Sequence, residues 1–182
     1  MKKIVMLTIL MAALAGCVSS VPPLPEEQAG VYRLGPGDEL QIEFYQLTEL
    51  SNTYIVSDTG HISAPLLNQV EAGGKTVEEL EAALEKAILE QNLIRKPDVA
   101  AQVSKYRPYF IVGEVRNPGQ YDYQPNMSVL VAISAAGGPT FRARTDRVII
   151  TRRDGAKWAK GKARPESLVL PGDTIEVKEK WF

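Results

Sequence analysis

The stretch that decides the fold runs from Tyr109 to Pro139, YFIVGEVRNPGQYDYQPNMSVLVAISAAGGP. It opens with Tyr109-Phe-Ile-Val, aromatic and β-branched types that suit a strand. Asn117-Pro118-Gly119 then interrupts the run, with proline presetting φ and glycine supplying a positive φ. The chain returns through Gln120-Tyr-Asp-Tyr123 as a hairpin or tight corner. Ser128 is placed to cap a short apolar helix, Val129 to Ala136, and Gly137-Gly138-Pro139 stops it. The expectation is a compact β-β-α core.

After that core, Arg147-Val-Ile-Ile-Thr151 reads as a strand with Asp154-Gly155 as its turn. Pro171-Gly172-Asp173 then feeds a last strand carrying Ile175 and Val177. Before the core, Leu34-Gly35-Pro36-Gly37-Asp38 is a turn, and Leu40, Ile42 and Phe44 alternate behind it as a half-buried strand. The two Pro-Gly-Asp turns repeat each other, as duplication or as convergent turn chemistry. Tyr54-Ile-Val and His61-Ile-Ser flank Asp58-Thr-Gly60 and suggest a hairpin. Thr76 and Glu79 fit a capping box, and Val77, Leu80, Leu84, Ala87 and Ile88 fall on one helical face. Val99, Ala101 and Val103 alternate as another strand, so the first half reads β-β-β-α-β. The whole is α+β in two small domains, residues 31–106 and 107–182.

Residues 1–16 have the form of a signal peptide: Lys2 and Lys3, then an apolar run from Ile4 to Leu14 too short to span a bilayer. Leu14-Ala15-Gly16-Cys17 resembles a bacterial lipobox, which implies an acylated Cys17, the only cysteine in the chain. Val18 follows it, not the Asp that holds such lipoproteins at the inner membrane, which points to the outer one. Residues 17–30 carry Pro22, Pro23 and Pro25 and read as a stiff tether, able to hold the body up to roughly 40 Å from the lipid.

GEVRNPGQY followed by ISAAGGPT resembles the soluble-ligand-binding (SLBB) β-grasp domain of bacterial polysaccharide export lipoproteins. YRLGPGDELQIEF, DTGHISAPLLNQV and GGKTVEELEAALEKAI resemble the export domain of the same family, and the two matches cover nearly all of the chain beyond Cys17. The resemblance implies export of capsular or extracellular polysaccharide by a lipid-anchored ring on the periplasmic face of the outer membrane. It implies an inner-membrane chain-length regulator (a polysaccharide co-polymerase) as partner. The family-motif positions are Gly35, Gly37, Asp38, Gly60, Thr76, Gly113, Pro118, Gly119, Gly137, Gly138, Gly172 and Asp173. A monomeric glycan- or ligand-binding lipoprotein is the alternative.

No enzyme emerges, and no cofactor or metal is expected. Gly74-Lys75-Thr76 opens a helix as a phosphate loop would, but a Walker A motif needs Gly at position 69, where Gln69 stands. Thr76 as a helix cap explains the residues. His61 is the sole histidine and reads as a strand residue. Asp38 and Glu39 are strand neighbours pointing to opposite faces, which excludes a paired acid–base role.

Charge is divided unevenly. Residues 26–90 hold 13 acids and 3 bases, while residues 142–164 hold 9 bases and 2 acids. Opposite poles suit a head-to-tail contact of the kind that closes rings, or grip on an acidic polysaccharide. Nucleic acid does not fit an exported protein. Only Lys178-Glu-Lys-Trp-Phe182 follows Val177, about 8 Å as a helix, so a separate outer-membrane β-barrel partner is expected to provide the pore.

Overall fold

The computed structural model describes residues 21–23, 32–154 and 157–180. The signal peptide, Cys17, most of the tether, Gly155 and Trp181-Phe182 lie outside the described residues.

The first domain comprises β1 (Glu39–Phe44), a 3-10 turn (Thr48–Leu50), β2 (Asn52–Ile55), β3 (His61–Ala64), β4 (Asn68–Glu71), α1 (Val77–Glu90) and β5 (Val99–Lys105). Leu40, Ile42 and Phe44 turn inward from β1, the middle strand of an antiparallel sheet ordered β2-β1-β5. Onto the same core α1 lays Leu80, Leu84 and Ile88, spaced for one helical face. Its capping box is complete: the Thr76 hydroxyl accepts from the Glu79 amide at 3.2 Å, and the Glu79 carboxylate accepts from the Thr76 amide at 2.9 Å. Such a cap contributes about 1 kcal/mol and occupies the donors a phosphate loop would need.

The expected hairpin about Asp58-Thr-Gly60 is corrected. Gly60 (φ +79°) does make a tight turn, but β2 pairs with β1 and β3 pairs with β4. The reason is visible just past β2, where Val56 exchanges backbone hydrogen bonds with Gly37 and Asp38. β2 is thus held to the β1 entrance, and the turn carries the chain into a second, two-stranded sheet. The real hairpin there is β3–β4, in which Ile62 faces Val70 and both are buried.

The second domain comprises β6 (Tyr109–Gly113), β7 (Gly119–Tyr121), α2 (Val129–Ala135), β8 (Val148–Asp154), β9 (Lys157–Ala163) and β10 (Thr174–Val177). Sheet order is β7-β6-β10-β8-β9, with β6 and β10 parallel and every other pair antiparallel. Val129, Ala132 and Ile133 of α2 pack with Tyr109, Ile111, Val148, Ile150, Ile175 and Val177 of the sheet. Adjacent parallel first and last strands with a helix against one face make a β-grasp, as the resemblance implied. β9 is a strand the sequence reading lacked. Its inner positions are Ala159, Gly161 and Ala163, too small to register as an apolar stripe.

The tether expectation is corrected for residues 21–23. The Pro22 carbonyl accepts from the Lys162 amide at 2.8 Å, and Pro23 forms a parallel bridge with Lys162. These residues meet the open edge of β9 through one bridge, while Pro22 and Pro23 themselves stay exposed.

Candidate functional site

The two Pro-Gly-Asp turns share one construction. In each, Asp closes the turn by donating its amide to the carbonyl three residues back, at 3.1 Å for both Asp38 to Gly35 and Asp173 to Leu170. Its carboxylate accepts from that same residue's amide, at 2.7 Å for Gly35 and 2.8 Å for Leu170. Gly37 (φ +93°) and Gly172 (φ +85°) take the left-handed position that a type II turn demands after proline. Asp38 and Asp173 are fully buried, and each is met by an arginine.

The arginines differ in origin. Arg152, on β8 of the same sheet, grips Asp173 through two parallel bonds of 2.8 Å and also donates to the Leu168 carbonyl. Arg107 lies in the link between β5 and β6. Its amide donates to Asp38 at 2.9 Å, and its guanidinium reaches Asp38 at 3.1 Å and the Tyr32 hydroxyl at 2.9 Å. The same guanidinium donates to the Pro171 carbonyl at 3.1 Å. One side chain therefore joins the first turn to the second across the domain boundary.

Aromatic rings follow the same path. Tyr32 meets Tyr106 edge-on at 5.0 Å, and Tyr106 meets Tyr123 at 5.4 Å, a ladder crossing from the first domain to the second. The Tyr32 hydroxyl donates to Asp38 at 2.6 Å. Burial, reinforced by the Asp38 carboxylate, pushes its pKa well above the usual tyrosine value. Asp38 thus receives four donors and Asp173 three, which leaves neither carboxylate open for acid–base work. Among the described residues every fully buried side-chain polar atom has a partner.

The two glycine motifs of the second domain also meet. Arg116 donates its amide to the Gly138 carbonyl and Asn117 to the Ala136 carbonyl, so the corner before Pro118-Gly119 is fastened to the end of α2. Thr140 completes the seam through its amide and hydroxyl to Glu114, the latter at 2.6 Å. Gly137 (φ +81°) and Gly138 (φ +85°) stop α2 and present those acceptors. A Cβ at Gly113 would overlap the Val177 carbonyl oxygen, so this glycine permits the parallel β6–β10 approach.

The expected site residues therefore fall in three places: Gly35, Gly37, Asp38, Gly172 and Asp173 at the joint; Gly113, Pro118, Gly119, Gly137 and Gly138 around the β6–α2 seam; and, in the first domain, Gly60 in a turn and Thr76 at the cap of α1. Cys17 lies outside the described residues. Arg107, Tyr32 and Tyr106 were not singled out in the sequence, and Arg152 figured there only within the basic segment of residues 142–164. The available signal was that each buried-turn Asp needs a cation, but sequence spacing does not say which. His61 lies in β3, its ring Nδ1 3.0 Å from the Thr59 carbonyl oxygen. No group of three or more His, Cys, Asp or Glu able to hold a metal occurs among the described residues. No helix among them is long and apolar enough to cross a membrane.

The basic segment is partly neutralised at short range. Arg142 pairs with Glu179, Lys160 with Glu176 at 3.5 Å and Arg152 with Asp173, all three acids lying outside residues 142–164. The pole inferred from sequence counts is accordingly weaker than the counts imply.

A family model described as polysaccharide biosynthesis/export protein matches residues 26–104, and an SLBB domain model matches residues 108–161. The chain is 34% identical over 142 residues to the exopolysaccharide production protein ExoF of Rhizobium meliloti, covering 71% of this chain and 32% of that one. It is 26% identical over 157 residues to the EPS I polysaccharide export outer membrane protein EpsA of Ralstonia solanacearum, with 72% and 41% covered. EpsA of Ralstonia nicotianae is 25% identical over 187 residues, with 84% and 49% covered. The chain thus spans between about a third and a half of the length of these relatives. Export-domain and SLBB matches fall in order on the two folded units, and the chain belongs to the polysaccharide biosynthesis/export protein family.

Proposed function

We propose that this protein exports a capsular or extracellular polysaccharide across the outer membrane, as a lipid-anchored component of a periplasmic ring. Cys17 carries the anchor on this reading. An inner-membrane co-polymerase docks to the ring, and a separate outer-membrane β-barrel provides the pore. The task is confinement and guidance of the polymer, with no bond made or broken. The observation that carries the reading is the joint: Arg107 links an export domain to an SLBB domain through four half-buried hydrogen bonds. A rigid two-domain stave suits the wall of a conduit better than a hinged binding cleft.

Deletion of the gene tests export. Surface polysaccharide should fall and return with a plasmid copy, whereas normal surface polymer in the deletion strain refutes the reading. The mass of the detergent-extracted protein tests the ring. A closed oligomer supports it, and a monomer that retains glycan favours the ligand-binding alternative.

A further inference from the structure

Residues 21–23 lie along the open edge of β9, with the Pro22 carbonyl bonded to the Lys162 amide. Four residue steps separate Cys17 from Val21, a reach of at most about 14 Å when fully extended. An anchor at Cys17 therefore holds the Lys162 end of β9 close to the bilayer, within the reach of that segment, and the face it presents has the composition of an interfacial one. Trp158, Lys160 and Lys162 alternate on the outer side of β9, opposite Ala159, Gly161 and Ala163. Trp158 is 65% exposed. Beyond the strand, Arg164 joins Lys162, Pro23 and Arg147 around a shallow hollow at the point where the tether arrives.

We infer that this outer face of β9 docks on an anionic phospholipid surface, Trp158 entering the headgroup layer and Lys160, Lys162 and Arg164 meeting lipid phosphates. The inference rests on the lipid-anchor reading of Cys17 and adds the side of the second domain that is turned to the membrane. The counter-charges on the face are few. Glu176 partners Lys160, Asp146 is shared by Arg144 and Arg147, and Glu166 lines the hollow. Lys162 and Arg164 form no ion pair among the described residues. Basic side chains act on an anionic leaflet within a Debye length of about 8 Å, and a tether of at most about 14 Å lets the β9 edge come that close. Tryptophan favours the headgroup boundary because its ring is apolar and its N–H is wet. An acidic polysaccharide has matching charge, but it does not account for the tether delivering this strand edge to the bilayer.

The test uses protein extracted from cells in a Trp181→Phe background, which leaves Trp158 as the sole tryptophan. It is reconstituted into phosphatidylethanolamine–phosphatidylglycerol vesicles whose acyl chains carry bromine. Trp158 fluorescence should be quenched there, and not in brominated phosphatidylcholine vesicles. Lys160→Glu, Lys162→Glu and Arg164→Glu together should abolish the quenching, weakening docking about 100-fold. The corresponding triple Gln variant should lose it in part with an unchanged circular dichroism spectrum. An unmodified Cys17 in the mass spectrum defeats the anchor reading by itself. Unquenched Trp158 on an acylated, vesicle-bound protein overturns the docking inference by itself. So does Trp158 emission that responds to soluble alginate and not to lipid.

Discussion

Two loops built on Pro-Gly-Asp, Gly35-Pro-Gly-Asp38 and Leu170-Pro-Gly-Asp173, hold their aspartates in the same way and use them differently. The second is closed on itself: Arg152 comes from a neighbouring strand of the same sheet, and the pair fastens β8 to the entrance of β10. The first is incomplete without the linker. Its arginine is Arg107, which is more exposed than Arg152, 26% against 12%, and also holds the Pro171 carbonyl of the second loop. One motif is a lock within a domain, and the other is a latch between domains. A burial–charge arrangement thus acquires a different role when its counter-ion changes address.

Removing each lock should separate these roles. Asp173→Ala removes the carboxylate that the Arg152 guanidinium grips and leaves it the Leu168 carbonyl, and it should cost roughly 3–5 kcal/mol, the usual result of breaking one side of a buried pair. Calorimetry should show the second domain melting first, and an unchanged melting temperature would mean Arg152 finds another acceptor. Arg107→Ala removes side-chain bonds to Asp38, Tyr32 and Pro171, worth roughly 1.5–3 kcal/mol for a charged donor. Its distinctive mark is uncoupling, with one cooperative transition becoming two. Arg107→Lys should restore little of the coupling, because an ammonium lacks the fork that reaches all three acceptors.

The glycines discriminate more finely. Alanine at either left-handed position costs about 1–2 kcal/mol from backbone strain. A Cβ at Gly172 stands 3.0 Å from Arg107 Nε, whereas at Gly37 its nearest neighbour is Arg107 Cβ at 3.6 Å. Gly172→Ala should therefore be the worse of the two and should loosen the latch, as read by chemical denaturation of both variants side by side. Equal costs would show that Arg107 gives way freely.

The smallest expected effect is on alkaline stability. Tyr32 must keep its proton to donate to Asp38, and its pKa is raised in the folded chain. Its contribution is complete below the ordinary tyrosine value of about 10 and is lost as pH rises beyond it. Tyr32→Phe should be less stable than the parent near pH 8 by about 1 kcal/mol, with the gap narrowing above pH 10. A gap constant across that window would remove Tyr32 from the pH dependence.

What the sequence made legible follows a physical rule. β6, β7, α2 and the α1 cap were readable because strand formers, a Pro-Gly corner and Ser or Thr caps act over a few residues. The equivalence of the Pro-Gly-Asp turns was readable for the same reason. Arg107 was not, because Asp38 and Arg107 are 69 residues apart and nothing local distinguishes this arginine from its neighbours. β4 was hidden by Asn68, Gln69 and Glu71 around one buried Val70, and by a reversal made with Leu66 and Asn68 at positive φ without glycine. The path of Pro22 and Pro23 was misread since proline composition reports stiffness, not where a segment lies.

The position of β10 has a consequence for how the molecule is made. The strand formed by Thr174–Val177 is made after the other described strands of its domain, yet it sits in the middle of its sheet between β6 and β8. Until it arrives, β6–β7 and β8–β9 are two separate hairpins, each with an unpaired inner edge. The second domain cannot close before β10 is made, and its folding waits on a contact between distant parts of the chain, a slow class of event. A chain that stalls before Thr174 would expose two sticky strand edges. This makes the short final strand the quality-control point of the whole domain.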